Sequence, residues 1–306
     1  MKQFAHVCPG VYSQGKSRGM AHDPQTTANV LNQALPYIQA FRGQTFVIKY
    51  GGSAMKDPVL MEGVIRNILL LQLVGIRPIL VHGGGPEIDS WLSRLGIEKE
   101  TRDGIRVTDE DTMDVVEMAL AGRANKALVA EVQKAGGKAI GLSGRDSDLL
   151  QAVQLDPELG RVGKVTAVDD HILRLASEAG YIPVVCSVAT DADHKALNIN
   201  ADTAAAAIAV AVDATKLILL TDTNGVLADK DDPKSTLSSL NPEEAHEMIE
   251  SGQADRGMIP KLEAALYALH RGVDGVHLIN GGQQNALLIE AFTDAGIGTM
   301  MTLQKR

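Results

Sequence analysis

Residues 46–55 read Phe46-Val-Ile-Lys49-Tyr-Gly-Gly-Ser-Ala-Met55. The apolar, β-branched run 45–48 is typical of a buried strand. This strand ends at a lysine and continues into two glycines, which let the backbone approach a ligand closely. A cation followed by such a turn suits an anionic group such as a phosphate. On its own, the stretch fits an ordinary glycine turn with Lys49 in solvent equally well.

A second glycine turn follows the next predicted strand, 78–82. It reads Gly83-Gly84-Gly85, and Pro86 then opens a helix. A strand, glycines and a helix N-terminus in this order bring free backbone N–H groups to an anion. An ordinary turn seldom needs three glycines, so the segment favours a ligand site. It has neither the dinucleotide fingerprint nor the Walker A spacing.

Strands and helices alternate along most of the chain. This pattern predicts an α/β fold, a three-layer αβα sandwich around a mostly parallel open sheet. The last strand, 299–302, is expected at an edge of this sheet. Such sheets bind ligands at the carboxyl ends of their strands, where both glycine turns are expected.

An arginine lies just before a long predicted helix that starts with Thr108 and Asp111 as a capping box and runs to Lys134. Arg106, in the stretch Gly104-Ile-Arg-Val-Thr108, could hold a carboxylate with two parallel hydrogen bonds. A solvated arginine is the more frequent alternative.

Two further polar positions lie at helix starts. Asn198-Ile-Asn-Ala-Asp202 precedes an Ala-, Ile- and Val-rich buried helix. Asp202 is either a first-turn acid that suits the helix dipole or a group that orients neighbouring lysines. Lys261 lies in the first turn of a later helix, where a cation opposes the dipole, so we expect it to serve an anion.

The composition narrows the classes of function. The chain has 306 residues, 45% of them hydrophobic, and a net charge of −9 with a pI near 5.4, which argues against nucleic acid as a main partner. Cys8 and Cys186 are far apart, which fits the reducing cytoplasm. No run is long and apolar enough for a membrane span, and the scattered histidines predict no protein-built metal cage. Residues 1–20 lack the apolar region of a secretory signal and are predicted to be a disordered tail.

An amphipathic helix is predicted over 24–41, outside the first strand. Its apolar positions are three and four residues apart. The apolar face packs either on a partner subunit or back on its own domain.

Six motifs resemble those of the amino-acid kinase family. In chain order they are Lys49-Tyr-Gly-Gly-Ser, Val81-His-Gly-Gly-Gly-Pro86, Gly104-Ile-Arg-Val-Thr108, Asn198-Ile-Asn-Ala-Asp202, Leu219-Leu-Thr-Asp-Thr-Asn-Gly225 and Gly257-Met-Ile-Pro-Lys261. The resemblance covers residues 44–303 and implies an acceptor-substrate lobe, 44–213, and a nucleotide-binding lobe, 214–306, after an N-terminal tail and oligomerisation helix, 1–43. The third and fourth motifs resemble those of members that phosphorylate the γ-carboxylate of N-acetyl-L-glutamate with ATP in arginine biosynthesis.

The resemblance also implies a role for each matching residue. Lys49 and Lys261 would neutralise the transferring phosphoryl group, and Asp202 would hold both lysines. The amides of Gly52, Gly84 and Gly85 would hydrogen-bond the phosphoryl group or the attacking carboxylate. Arg106 would bind the substrate α-carboxylate, and Asn198 would bind the substrate acetamido or carboxylate groups. The nucleotide would contact Asp222, Asn224 and Gly225. Such chemistry needs positioning and charge stabilisation rather than a general base, with magnesium bound mainly by ATP phosphates and water.

Regulation by arginine is a further implication. The segment 24–42 resembles the helix through which arginine-inhibited members assemble as hexamers. Lys216, His277, Glu290 and Gly296 match the arginine pocket of those members less closely, and Gly282-Gln-Gln-Asn285 departs from their pattern. The alternatives are another kinase of the same family and a non-catalytic arginine-sensing protein of the same fold.

Overall fold

The computed structural model describes residues 23–55, 57–229, 231–232 and 234–303. The predicted tail, 1–20, lies outside these residues. Two compact units are present, with their boundary between Pro36 and Tyr37, inside the first helix. In the described residues, no helix combines the length and the hydropathy that crossing a membrane requires.

The helices and strands follow the predicted alternation. The helices are α1 Pro24–Phe41, α2 Pro58–Leu73, α3 Gly85–Leu95, α4 Glu110–Glu117, α5 Asn125–Lys134, α6 His171–Glu178, α7 Ala201–Ala211, α8 Pro242–Glu250, α9 Ile259–Leu269 and α10 Ala286–Phe292. The strands are β1 Thr45–Tyr50, β2 Arg77–His82, β3 Thr101–Arg102, β4 Ile105–Arg106, β5 Ala139–Ser143, β6 Leu150–Gln154, β7 Gly163–Val168, β8 Ile182–Cys186, β9 Val188–Thr190, β10 Ala196–Asn198, β11 Lys216–Thr221, β12 Ser239–Leu240, β13 Gly275–Asn280 and β14 Thr299–Met301.

Eight strands form one sheet in the order β12-β14-β13-β11-β1-β2-β8-β5. The six strands from β13 to β5 are parallel, and β14 pairs with β13 in the opposite direction. A second sheet, β10-β9-β6-β7, contains an antiparallel hairpin, β6 with β7. The mostly parallel sheet is therefore confirmed.

Alternation along β1 creates the three layers. Phe46, Ile48 and Tyr50 pack in a core with residues of α2, α5 and α10. Val47 faces the opposite way, into a core with residues of α6, α7, α8 and α9. Because successive side chains of a strand point to opposite faces, helices cover both sides of the sheet. The predicted αβα sandwich is confirmed.

The start of the predicted 108–134 helix was wrong. Thr108 is buried and pairs with Gly160 in an isolated bridge, so it does not cap the helix. Asp109 is the N-cap, and its side chain accepts a hydrogen bond from the Thr112 amide at 2.8 Å. A π-helical segment, Met118–Ala124, joins α4 to α5, so the helical backbone continues to Lys134 as predicted.

The predicted position of the last strand was also wrong. β14 is not at the sheet edge, because β12 pairs with its outer side. A two-residue strand such as β12 is too short to leave a periodic signal in the sequence.

The unit before Tyr37 is helical in its described part. Asp23 caps this helix through the Thr26 amide at 3.2 Å. No residue of α1 is buried, and its apolar side chains include Val30 and Leu31, which are 58% and 65% exposed.

Candidate active site

Lys49 and Lys261 meet on the carboxylate of Asp202. The Lys49 ammonium lies 3.0 Å from Oδ1 and the Lys261 ammonium 2.8 Å from Oδ2. Lys49 is two residues after Val47 and therefore faces the same side of the sheet, toward α7 and α9. Asp202 lies in the first turn of α7 and Lys261 in the first turn of α9, and these helices pack together. The fold thus brings together three charges that are far apart in the sequence.

Asp202 is held rigidly in its ionised form. Asn200 caps α7 and accepts hydrogen bonds from the amides of Asp202 and Thr203 at 2.8 and 3.2 Å. Burial alone would raise the pKa of Asp202, but the charges of Lys49 and Lys261 and the hydrogen bonds to them outweigh it, so the pKa is lowered. A carboxylate fixed this way can keep two ammonium groups at one place.

A cavity of about 250 Å³ lies beside this ion-pair cluster. Both glycine turns contribute to its wall, as do two elements that carry predicted substrate residues. The predicted site residues among its lining are Lys49, Gly52, Gly84, Gly85, Arg106, Asn198 and Asp202. Lys261 reaches Asp202 without being part of this lining. The structure therefore places seven of the eight predicted catalytic and substrate-binding residues around one cavity, and the eighth, Lys261, contacts Asp202 in its wall.

Arg106 presents part of its guanidinium group without a protein partner. Its Nη2 donates to Asp89 and lies 3.4 Å from the Gly85 carbonyl oxygen. Its Nη1 is buried and has no hydrogen-bond partner. Leaving a buried charged donor unpaired is costly, so a bound acceptor at this position would be stabilised.

The second predicted substrate residue, Asn198, lies at the end of β10. Its side-chain amide donates to the Thr108 hydroxyl at 3.2 Å, and that hydroxyl donates to the Arg106 carbonyl oxygen at 3.0 Å. These bonds connect Asn198 to the segment that carries Arg106. The two residues are therefore positioned as one unit.

The three predicted nucleotide residues directly follow β11. Gly225 lines a narrow cleft of about 30 Å³ with residues of α8 and the segment before α9. Asn224 accepts a hydrogen bond from Asn280 at 2.8 Å. Asp222 lies at the first glycine turn, where a Cβ on Gly52 would be 2.8 Å from both of its carboxylate oxygens.

The predicted arginine residues lie around another cavity, of about 430 Å³. Lys216 Nζ is 3.1 Å from His277 Nε2, and His277 Nδ1 is 2.5 Å from Glu290 Oε1. Burial would raise the pKa of Glu290, but its hydrogen bond to His277 and the His277 charge lower it. Gly296 completes this group, since all four residues line the same cavity.

Comparison with known proteins gives the family. The chain matches the model of the amino acid kinase family over residues 44–280. The chain belongs to the amino acid kinase family. Within this family it is similar to the acetylglutamate kinase of Nostoc sp. (strain PCC 7120), with 53% identity over 277 residues, 90% of this chain and 93% of that protein. It is 49% identical to the acetylglutamate kinase of Synechocystis sp. (strain PCC 6803), over 92% of this chain and 95% of that protein.

Solved structures agree with the membership in the amino acid kinase family. The N-acetylglutamate synthase of Neisseria gonorrhoeae, solved with coenzyme A and N-acetyl-glutamate, has a TM-score of 0.79 and 27% identity. The match covers 91% of this chain and 64% of the synthase. The same synthase solved with coenzyme A and L-arginine has a TM-score of 0.75 and 26% identity, over 90% of this chain and 65% of the synthase. A carbamate kinase of Giardia shares the fold, with a TM-score of 0.63 and 14% identity.

Several residues of the site were not anticipated from the sequence. Asp89 binds both Arg106 and Lys99, the latter at 2.9 Å, but it looks like an ordinary helix-surface acid in the sequence. Leu120 and Ser187 also line the substrate cavity. No local sequence pattern marks these contacts, because each depends on elements that are distant along the chain.

Proposed function

We propose that this chain transfers the γ-phosphoryl group of ATP to the γ-carboxylate of N-acetyl-L-glutamate. The products are N-acetyl-L-glutamyl 5-phosphate and ADP, and the reaction belongs to arginine biosynthesis. The observation that carries this proposal is the convergence of Lys49 and Lys261 on Asp202, beside a cavity that is lined by two glycine turns. The acetylglutamate kinases that are about half identical to this chain support the choice of acceptor.

The charges of the site fit the reaction. A carboxylate is already ionised at neutral pH, so the acceptor needs no general base. The difficulty is to hold two anions together while negative charge moves between them. Lys49 and Lys261 supply positive charge for the phosphoryl group, and Asp202 positions them. The backbone amides of the glycine turns add hydrogen bonds that need no reorganisation during transfer.

The acceptor is recognised at the other end of the cavity. Arg106 binds the α-carboxylate of the substrate, which gives its buried Nη1 an acceptor. Asn198 binds nearby polar groups of the substrate. Asp89 keeps one side of the guanidinium engaged and so fixes the direction in which the other side points.

ATP and magnesium bind together. The nucleotide enters beside the segment Asp222 to Gly225, and Gly225 lines the cleft next to it. In the described residues, no group of three His, Cys, Asp or Glu side chains could hold a metal ion. Magnesium would be held mainly by ATP phosphates and water, and it would neutralise further phosphate charge. The isolated cysteines favour a cytoplasmic location.

An ADP-release assay tests the proposed reaction. We expect turnover with N-acetyl-L-glutamate and far less with L-glutamate or L-aspartate. Lys261→Ala should lower kcat about 100-fold or more with a smaller change in the KM values, because its charge matters most in the transition state. Lys134→Ala is the matched control, since the Lys134 side chain is 74% exposed and pairs only at the surface of its own helix. Absence of ADP release with N-acetyl-L-glutamate would reject the proposal.

We extend the proposal to feedback inhibition by L-arginine. The cavity at Lys216, His277, Glu290 and Gly296 offers a carboxylate for a guanidinium group, and the related synthase of Neisseria gonorrhoeae was solved with L-arginine. Arginine should therefore inhibit ADP release. Glu290→Gln should raise the arginine concentration for half-inhibition about tenfold or more, because it replaces a charged partner by a neutral one. An unchanged concentration would exclude this site.

We also propose that α1 joins subunits into a hexamer. Its exposed apolar side chains, with Val30 and Leu31 among them, would be buried by a second copy of the helix. Deletion of residues 1–43 should reduce the assembly to dimers, as measured by light scattering. A hexamer that persists after this deletion would refute the role of the helix.

A further inference from the structure

His82 is a fully buried polar residue next to the triple-glycine turn. It is the last residue of β2, with 0% exposure, and it has no role in the reaction proposed above. Its Nδ1 lies 2.9 Å from the carbonyl oxygen of Gly83, and its Nε2 lies 3.1 Å from the side-chain nitrogen of Asn125. Both ring nitrogens therefore have defined partners.

The surroundings of Asn125 decide which ring nitrogen carries the proton. The Asn125 Nδ2 atom also lies 2.8 Å from the carbonyl oxygen of Val184 and 3.2 Å from that of Leu142. Two carbonyl oxygens require a donor, so this atom is the amide nitrogen, and the His82 Nε2 that faces it carries no proton. Burial lowers the pKa of His82 to about 4, so the ring is neutral at pH 7. The proton is then on Nδ1, which donates to Gly83.

The hydrogen bond from His82 controls the direction of a neighbouring amide. The carbonyl of Gly83 and the N–H of Gly84 belong to one planar trans peptide group, in which they point in opposite directions. Holding the carbonyl against the buried ring therefore turns the Gly84 N–H away from the core. Without such a restraint, the glycines would sample many backbone conformations.

Asn125 makes this restraint rigid. It is fully buried at the start of α5, directly after the π-helical segment, and it links β5 and β8 through the carbonyl oxygens of Leu142 and Val184. The ring of His82 is thus fixed to three adjacent strands. Leu120 packs so close to Gly84 that a Cβ on this residue would lie 2.5 Å from the Leu120 Cδ2 atom.

We propose that His82, fixed by Asn125, is a positioning residue that aims the Gly84 amide into the substrate cavity. This inference rests on the proposed phosphoryl transfer, in which that amide stabilises negative charge. Neither residue touches the cavity, so their effect on the reaction passes through the glycine backbone. The hydrogen bond exists before any ligand binds, so the amide is already oriented when the anions arrive.

Two substitutions of His82 distinguish a role in orienting the Gly84 amide from a role in core packing. In His82→Asn, the side-chain N–H can take the place of Nδ1–H and retain the bond to Gly83. In His82→Gln, the amide reaches the Nε2 position and can bind Asn125, but it leaves the Gly83 carbonyl without its donor. We expect His82→Asn to keep kcat within about threefold of wild type and His82→Gln to lower it about 10- to 100-fold, because small misplacements of catalytic groups have effects of this size. The KM for ATP should be unchanged in both variants.

The opposite ranking, or an equal loss of kcat in both variants, would overturn the inference. So would wild-type kcat in His82→Gln. If His82 contributed only to stability, the two folded variants would have the same kcat. The melting temperatures of both variants show how much stability each has lost.

Nitrogen-15 NMR of the wild-type imidazole tests the hydrogen bond without relying on either variant to fold. We expect a protonated Nδ1 and an unprotonated Nε2, and the reverse tautomer or an imidazolium at pH 7 would reject the inference. If the wild-type chain releases no ADP with N-acetyl-L-glutamate, the proposed function fails, whereas the NMR result still decides the state of His82.

Discussion

Replacing Asp202 by asparagine removes the negative charge that contacts both active-site lysines. The two carboxylate oxygens lie 3.0 and 2.8 Å from the ammonium groups of Lys49 and Lys261, and Asp202 is only 4% exposed. With an effective dielectric constant of about 20, Coulomb's law gives about 5 to 6 kcal/mol of attraction for each contact. Desolvation of the three charges offsets most of this attraction. Removal of one partner from a buried ion pair typically costs about 3 to 5 kcal/mol.

The expected loss of stability lies at the lower end of that range. The side chains of Lys49 and Lys261 are 10% and 19% exposed, so water can stabilise part of their charge after the substitution. We expect Asp202→Asn to lower the free energy of unfolding by about 3 kcal/mol. Urea unfolding at pH 7 measures this value. Added Mg-ATP should recover part of the loss, because its phosphates bring negative charge back to the lysines.

The same substitution should lower kcat more than it weakens ATP binding. Without the carboxylate, the two ammonium groups repel each other and move from their positions beside the phosphoryl group. A displacement of about 1 Å can lower the rate about 100-fold, so we expect an effect of this order on kcat in the ADP-release assay.

Asp213→Asn is the matched control for Asp202→Asn. Asp213 binds Arg174 at 2.9 Å, but its side chain is 85% exposed. We expect this control to change stability by less than about 1 kcal/mol and to leave kcat unchanged. If Asp202→Asn kept both wild-type stability and wild-type kcat, the carboxylate would not hold the lysines as argued.

Three further predictions concern recognition, the first glycine turn and pH. Arg106→Lys should raise the KM for N-acetyl-L-glutamate about tenfold and leave the KM for ATP unchanged, because a point charge replaces a bidentate donor. A wild-type KM for N-acetyl-L-glutamate in this variant would exclude the role of Arg106. Gly52→Ala should lower both stability and kcat, because Gly52 has φ +73° and a Cβ would contact Asp222. The control Gly43→Ala, at a residue with φ +80° and open space around its Cα, should lower stability alone. Equal losses of kcat in the two variants would contradict a role for the contact with Asp222. The neutral His82 ring stabilises the fold fully above its unfolded pKa of 6.5, and up to about 3 kcal/mol should be lost as the pH falls toward 4. His82→Asn should lack this loss in urea unfolding between pH 7 and 4.5, and parallel curves for the two proteins would refute it.

The sequence predicted the layers of the fold because they depend on local periodicity. The apolar run of β1 and the glycines after β1 and β2 mark strand ends without any knowledge of the tertiary structure. The start of α4 was mispredicted because Thr108 and Asp109 are both good capping residues. The buried bridge from Thr108 to Gly160, which involves residues far apart in the chain, decides between them.

Sequence reasoning found a residue of the candidate site where its residue type was unfavourable in its local secondary structure. Lys261 stood out as a cation in the first turn of a helix, and its contact with Asp202 is consistent with that reasoning. Asp89 and Asn125 did not stand out, because each is ordinary in its own helix. Their importance comes from partners on other elements, Arg106 and His82, which no spacing along the chain reveals.

The packing of α7 against α9 determines what happens to the active site when the chain is split into two fragments. β1 lies between β2 and β11, so the central strand is hydrogen-bonded to both halves of the chain. Lys49 and Asp202 come from the first half, and Lys261 comes from the second. Two fragments cut between residues 213 and 214 would each lack part of the charge cluster. Activity from such a split chain would therefore report directly on reassembly of the halves, which makes the ion-pair cluster a built-in reporter for fragment complementation.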